Sequence, residues 1–286
     1  MPLQLMNIGP IGKDRPVARD DEGRTFDLSS LTDEIDGSFL SNDGMNRAID
    51  AASAGRLARL DLTGQRIGPP LRRPGALICI GMNYAAHAAE SGSKAPETPV
   101  VFLKTVNTVV GPYDDVVVPK GSQKTDWEVE LAVVIGRRAL YLESPDDADA
   151  HIAAYTISND VSQRAFQLEQ SGGRWSKGKC CPTFNPLGPC LVPAAVIENP
   201  QSLRLSTTVN GELRQPSSTA DMVFRVRYLV WHLSQYMALE AGYVINSGTP
   251  EGVALSGRFP YLKDGDVMEF SIEHLGSQRQ RVLGAN

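Results

Sequence analysis

Between Asp126 and Gly136 the chain reads Asp-Trp-Glu-Val-Glu-Leu-Ala-Val-Val-Ile-Gly, which sets two carboxylates two positions apart in an otherwise apolar, β-branched run. Side chains alternate faces along a strand, so Glu128 and Glu130 project together while Trp127, Val129 and Leu131 project the other way. Two anions this close drive one carboxyl into its neutral form or require a cation, and a hard metal ion taking oxygen ligands is the simplest partner. A solvated face on an edge strand would also tolerate the pair. Asp160 follows a second apolar segment, Ala153 to Ser158, and would supply a third oxygen ligand; it could equally cap a helix starting at Ser162. With no histidine or cysteine near these acids, an all-carboxylate set selects Mg²⁺ or Mn²⁺, with Ca²⁺ possible, over zinc or copper.

His87 and Glu90 stand three positions apart in an Ala-rich stretch, so on a helix they share a face. A carboxylate beside an imidazole orients it and raises its basicity, as activation of water requires; a surface His/Glu pair is the plainer alternative. His151, His232 and His274 lack such a partner, and His232, in an apolar helical stretch, reads as a packed, hydrogen-bonded core residue. The run Gly173 to Cys180 imitates a phosphate-binding loop. Cys180 replaces the hydroxyl that would hold magnesium, and Pro182, Pro186 and Pro189 forbid the following helix, so the match is accidental. Lys179 can then offer a point charge to an oxyanion or a substrate carboxylate, or simply be solvated. Arg164 and Gln167 fall on roughly one face of a helix with Asp160, where a guanidinium fork and an amide suit a planar keto acid. Gly248-Thr249-Pro250-Glu251-Gly252 reads as a tight turn exposing backbone N–H groups and one hydroxyl.

The elements that must position these groups are mostly strands. Apolar or alternating runs predict strands at Ala76 to Ile80, Val100 to Leu103, Val116 to Val118, Glu128 to Ile135, Ala153 to Ser158, Leu203 to Val209, Tyr243 to Asn246, Val267 to Glu273 and Arg279 to Leu283. Helices are expected at Asn46 to Ala54, Tyr84 to Ser91, Pro145 to Ala150 behind an N-cap Ser144, Ser162 to Gln170 and Phe224 to Ala238. Strands and helices do not alternate regularly, which argues against a doubly wound sheet and for a mixed α+β, strand-dominated fold. The Pro/Gly-rich stretch Ile67 to Gly75 marks a boundary between a small N-terminal domain, residues 1–70, and a catalytic domain, residues 71–286.

A chain of 286 residues with 42% hydrophobic and 21% charged residues and a net charge of -5 has the balance of an ordinary globular protein, which disfavours a nucleic-acid partner. The N-terminus lacks a basic stretch followed by an apolar run, and no run approaches the ~18 apolar residues of a membrane span, so a cytoplasmic location is expected. Cys79, Cys180, Cys181 and Cys190 lack zinc-site spacing and read as reduced thiols; the adjacent Cys180 and Cys181 hint weakly at redox sensitivity.

Five ordered segments together resemble the fumarylacetoacetate hydrolase family from Ile78 to the C-terminus. They are Gly81-Met82-Asn83-Tyr84-Ala85-Ala86-His87 with Glu90, the Asp-Trp-Glu-Val-Glu strand, Asn159-Asp160-Val161-Ser162-Gln163-Arg164 with Gln167, Lys177-Gly178-Lys179, and Ser247-Gly248-Thr249-Pro250. The resemblance implies a β-roll catalytic domain with a small N-terminal domain, homodimers, and Mg²⁺ or Mn²⁺ held by Glu128, Glu130 and Asp160. It further implies a base dyad of His87 and Glu90, oxyanion assistance from Lys179, and substrate contacts from Arg164, Gln167 and Thr249. The chain departs from the family pattern after Lys179, where Cys180, Cys181 and Pro182 precede Thr183, and at Met82. The expected activity is metal-dependent hydrolysis of a C–C bond in 2,4-dioxo acids, acylpyruvates or diketo-deoxy sugar acids, to a carboxylate and a 2-oxo acid. Decarboxylation or isomerisation of oxaloacetate-like or hydroxy-dienedioate acids is the alternative.

Overall fold

In the computed structural model, which describes residues 3–284, strand accounts for 32% of the chain and helix for 21%, so strands carry the architecture. The main sheet runs, edge to edge, through Thr25–Asp27, Arg15–Arg19, Gln4–Ile8, Asn185–Pro193, Ile152–Asn159, Val129–Ile135, Val244–Asn246, Leu77–Gly81 and Val100–Lys104. Neighbours along that path are antiparallel except Val244–Asn246 against Leu77–Gly81. A second, six-stranded sheet centres on Arg204–Val209, Val267–Ile272 and Gly276–Leu283.

Both faces of the main sheet are covered, which explains why its central strands read as continuous apolar runs rather than as alternations. Trp127, Val129, Leu131 and Val133 enter a core shared with Leu205, Met268 and Phe270 of the second sheet and with Val226, Leu229 and Leu233 of the Val226–Ser234 helix. Ala132 and Val134, on the opposite face, pack with Leu5, Phe26, Phe39 and Ala48 from the first 60 residues. Each such side chain, removed from water, contributes roughly 1.5–3 kcal/mol before the entropy of ordering it is counted. The N-terminal segment is joined to the rest through the backbone as well as the core: Leu5 pairs with Leu191, and Asn7 and Ile8 with Gly68 and Ile67. Glu128 and Glu130 share the face of Ala132 and Val134 but lie at the end of the strand, past the hydrophobic cover.

The predicted strands appear within a few residues of their expected bounds, and Ser144 forms a capping box with Asp147 ahead of Pro145–His151. Three expectations need correction. Ser162 to Gln170 is not one helix: Ser162–Gln163 pairs as a strand with Thr125–Asp126, and only Ala165–Glu169 coils, as a π-type turn. The helix expected over Phe224 to Ala238 spans Val226–Ser234, and its His232 stacks on Tyr228 and meets Tyr236 at a tilt on a partly exposed face instead of entering the core. The fully buried strand Asn185–Pro193 was hidden by its prolines. Its register against Ile152–Asn159 slips, and the buried Gln278 amide donates to the Ile157 and Gly188 carbonyls at 2.8 and 2.9 Å, next to Pro189, which has no N–H to give.

Candidate active site

A cavity of about 250 Å³ opens at the end of the main sheet, lined among others by His87, Glu128, Glu130, Arg164, Gln167, Lys179 and Thr249. A wider groove of about 730 Å³ near Val117, Pro182 and Asp264 gathers no comparable set of titratable groups. Each of the nine residues singled out in the sequence therefore lines the smaller cavity or touches a residue that does, since Glu90 bonds His87 and Asp160 bonds Lys179.

The acids converge as the alternation predicts. One carboxylate oxygen from each of Glu128, Glu130 and Asp160 lies within 4.8 Å of the others, and all three residues are buried. Asp160 does not cap a helix: its oxygens accept from Lys104 Nζ at 2.5 Å and Lys179 Nζ at 3.0 Å. Glu128 accepts from Lys179 Nζ at 2.6 Å and from Arg164 Nη2 at 2.7 Å. Burial pushes its pKa up, but Lys179 and Arg164 prevail and hold it at about 2. Among the described residues Glu130 has only the Gly248 N–H, at 2.8 Å, as a fixed donor. Its burial, together with the charges of Asp160 and Glu128, drives its carboxyl well above the usual carboxylate range. Lys179 is disfavoured as a cation by burial, yet the acids lift it to about 12, so it is a fixed positive charge. It is fully buried, which removes the solvated alternative.

Asp126, two positions before Glu128, completes the buried set. It accepts from Arg164 Nε at 2.8 Å and from the Ala254 and Leu255 N–H groups at 2.8 and 3.0 Å, and so fixes the guanidinium against Glu128. Four buried carboxylates, Asp126, Glu128, Glu130 and Asp160, thus face three buried cations, Lys104, Arg164 and Lys179. The raised Glu130 carboxyl is the local sign of that one-charge deficit. An oxygen-only donor set short of positive charge fits a hard divalent ion. Lys104 and Asp126 were both missed in the sequence. Asp126 was detectable, because it stands at the same two-residue spacing as the glutamates. Lys104 gave only the weak signal of a lysine ending an apolar strand.

On the other side of the cavity His87 Nδ1 lies 3.1 Å from Glu90 Oε1. Glu90 also accepts from the Gly252 N–H at 3.0 Å and from Arg258 Nη2 at 2.7 Å. Burial raises its carboxyl, but the bonds to His87 and Gly252 outweigh that and hold it ionised. The pair is therefore no solvated surface contact. The helix Ala85–Glu90 is too short to persist alone and is fixed by its surroundings, with Ala86 N–H donating to Asp221. Just before it, Met82 takes a left-handed φ of 57°, and Asn83 ties this bend to the far turn by donating to Ser247 O at 2.7 Å. Gly248 has φ 100°, which turns its N–H toward Glu130; a Cβ there would lie 2.7 Å from that of Asn83. Arg164 Nη1 donates to Gln167 Oε1 at 2.9 Å. Thr249 donates its hydroxyl to Val129 O at 2.9 Å and accepts from Gln215, so it can only accept from a ligand.

All four cysteines are free, and among the described residues no helix is long and apolar enough to cross a membrane. Comparison with known proteins agrees with the architecture. A hydrolase inferred in Burkholderia multivorans, whose name specifies no substrate, is 43% identical over 99% of this chain and 100% of its own length. A fumarylacetoacetate hydrolase from Exiguobacterium antarcticum superposes with a TM-score of 0.86 at 32% identity, over 99% of this chain and all of that one. The maleylpyruvate hydrolase of Sphingobium sp. SYK-6, solved with manganese(II) and pyruvate, gives 0.82 at 27% identity with the same coverage. The model of the fumarylacetoacetate hydrolase C-terminal region matches residues 76–283, and by that match the chain belongs to the fumarylacetoacetate hydrolase family.

Proposed function

We propose that this protein hydrolyses a C–C bond in 2,4-dioxo acids, acylpyruvates or diketo-deoxy sugar acids, giving a carboxylate and a 2-oxo acid. The observation that carries this reading is the placement of a three-carboxylate cluster and an oriented imidazole around one small cavity. Glu128, Glu130 and Asp160 would hold Mg²⁺ or Mn²⁺, which supplies Lewis acidity toward substrate oxygens. The pyruvate found with manganese in the Sphingobium relative is the kind of product such a reaction leaves.

His87, held by Glu90, takes a proton from water, and the water oxygen bonds to the outer carbonyl carbon. The C3–C4 bond then breaks, and its electron pair stays with the 2-oxo acid, delocalised toward the C2 oxygen. Lys179, a permanent cation at the edge of the cluster, stabilises the charge as it develops. Protonation of C3 by the His87 imidazolium returns the ring to its starting state and balances the reaction. Arg164 and Gln167 present a joined guanidinium and amide to the substrate carboxylate, and Thr249 accepts one hydrogen bond.

Product identification with a panel of 2,4-dioxo acids, oxaloacetate and hydroxy-dienedioates, in Mg²⁺ or Mn²⁺ and after chelation, tests the reading. Hydrolysis that vanishes on chelation and in His87→Ala is expected. Decarboxylation of oxaloacetate that survives in His87→Ala, with no hydrolysis in the wild type, would move the assignment to a decarboxylase.

A further inference from the structure

The same cavity says what the far end of the substrate is made of. Away from the carboxylates its wall is Met82, Phe102, Leu168, Trp175 and Leu255, with the Ser91 and Ser93 hydroxyls at the rim. Trp175 opens the helical turn Ser176–Lys179, so the segment that presents the buried lysine also presents the indole. Its ring meets Phe102 edge to face at 5.5 Å between centroids, and Lys179 Nζ lies 5.2 Å from the centre of the Phe102 ring. A Cβ on Gly81 would come within 2.2 Å of the indole, so that glycine is what lets Trp175 lean over the strand end.

The charges are committed elsewhere. Among the described residues lining the cavity the fixed cations are Arg164 and Lys179, and both are bonded to buried acids. Glu90 is matched by Arg258. The one-charge deficit among the buried groups becomes a one-charge excess with a divalent ion, enough for a single carboxylate at the reacting end. Among the described residues that line the cavity, no further cation remains to receive a second. From this we infer that the protein takes 2-oxo acids bearing one carboxylate and an uncharged tail, and discriminates through the Trp175, Phe102 and Leu168 wall against dicarboxylates. This rests on the function proposed above and narrows it. Fumarylacetoacetate and maleylpyruvate, the compounds that name two of its relatives, each carry two carboxylates.

The test is binding of 2-oxohexanoate against 2-oxohexanedioate to the Mg²⁺-loaded protein, by calorimetry and by tryptophan emission. The two probes differ only in the distal group, and neither has a 4-carbonyl to cleave. The monocarboxylate is expected to bind at least about tenfold more tightly, since a second carboxylate would be desolvated without a partner. Its emission change should disappear in Trp175→Phe, and Leu168→Lys, at a half-exposed position on the rim, should raise dicarboxylate affinity several-fold. Equal or tighter binding of the dicarboxylate, binding of neither probe at millimolar concentration, or an emission change undiminished in Trp175→Phe overturns the inference. Because the probes are not substrates, absence of C–C hydrolysis leaves the binding ratio standing, and a reversed ratio leaves hydrolysis standing.

Discussion

Along Val267–Ile272, in the six-stranded sheet, Glu269 and Ser271 reach solvent between buried Met268, Phe270 and Ile272, whereas along Val129–Ile135, in the main sheet, every residue is buried. The two strands are similar in length and differ in what covers them. The second sheet packs one face on the core and leaves the other wet, so a charged residue there needs no partner. Glu269 meets Arg279 at 3.5 Å with both side chains about half exposed. The main sheet is closed on both faces, so a carboxylate on it must be answered by a buried cation or an ion. A glutamate carries information about function only where burial makes it costly.

The sharpest way to break this contrast is to remove one cation that answers a carboxylate in each region. Arg164→Leu leaves Asp126 and Glu128 buried without their guanidinium and should lower stability by about 3–5 kcal/mol in urea unfolding of the metal-free protein. A loss below about 1 kcal/mol would falsify the claim that the covered sheet sets the difference. Gly248→Ala forces a Cβ onto Asn83 at a positive φ and disturbs the donor to Glu130, and should cost about 1–3 kcal/mol in the same measurement. Its kcat/KM should fall at least about tenfold if the turn organises the metal ligands.

Melting temperature followed against pH sharpens the comparison further. Glu130 has a folded pKa above its unfolded value, so its contribution to stability is complete below the unfolded pKa and fades as pH rises through the folded one. The metal-free protein should therefore melt lower as pH climbs above the ordinary carboxylate range. Saturating Mg²⁺ should flatten that slope, because the bound form needs the ionised carboxylate. Glu128 works in the opposite sense, its stabilisation present above the ordinary 4.5 and lost only as pH falls toward about 2. A slope that magnesium leaves unchanged would detach Glu130 from the metal site. The smallest effect belongs to the open sheet: Arg279→Leu should shift unfolding by less than about 1 kcal/mol.

Much of the site was legible because strand alternation is local. The spacing of Glu128 and Glu130 placed both carboxylates on one face, and the spacing of His87 and Glu90 placed that pair within reach of each other. The same rule would have included Asp126. The Asn185–Pro193 strand was not legible, since three prolines speak against a central strand and the donor that makes up for one of them, Gln278, comes from about ninety residues downstream. Nor was the Ser162–Gln163 pairing, where contact with Thr125–Asp126 overrides a helical pattern. Lys104 lies 56 residues from the aspartate it holds.

From its own residues the chain determined which side chains could act together over a few positions, because backbone geometry sets which neighbours share a face. Only the tertiary structure decided that Lys104, Arg164 and Lys179 would be spent on Asp126, Glu128 and Asp160, and that Trp175 would close the far wall over Gly81. Charge balance and shape in a buried cavity are sums over groups distant in sequence, and no local spacing contains them.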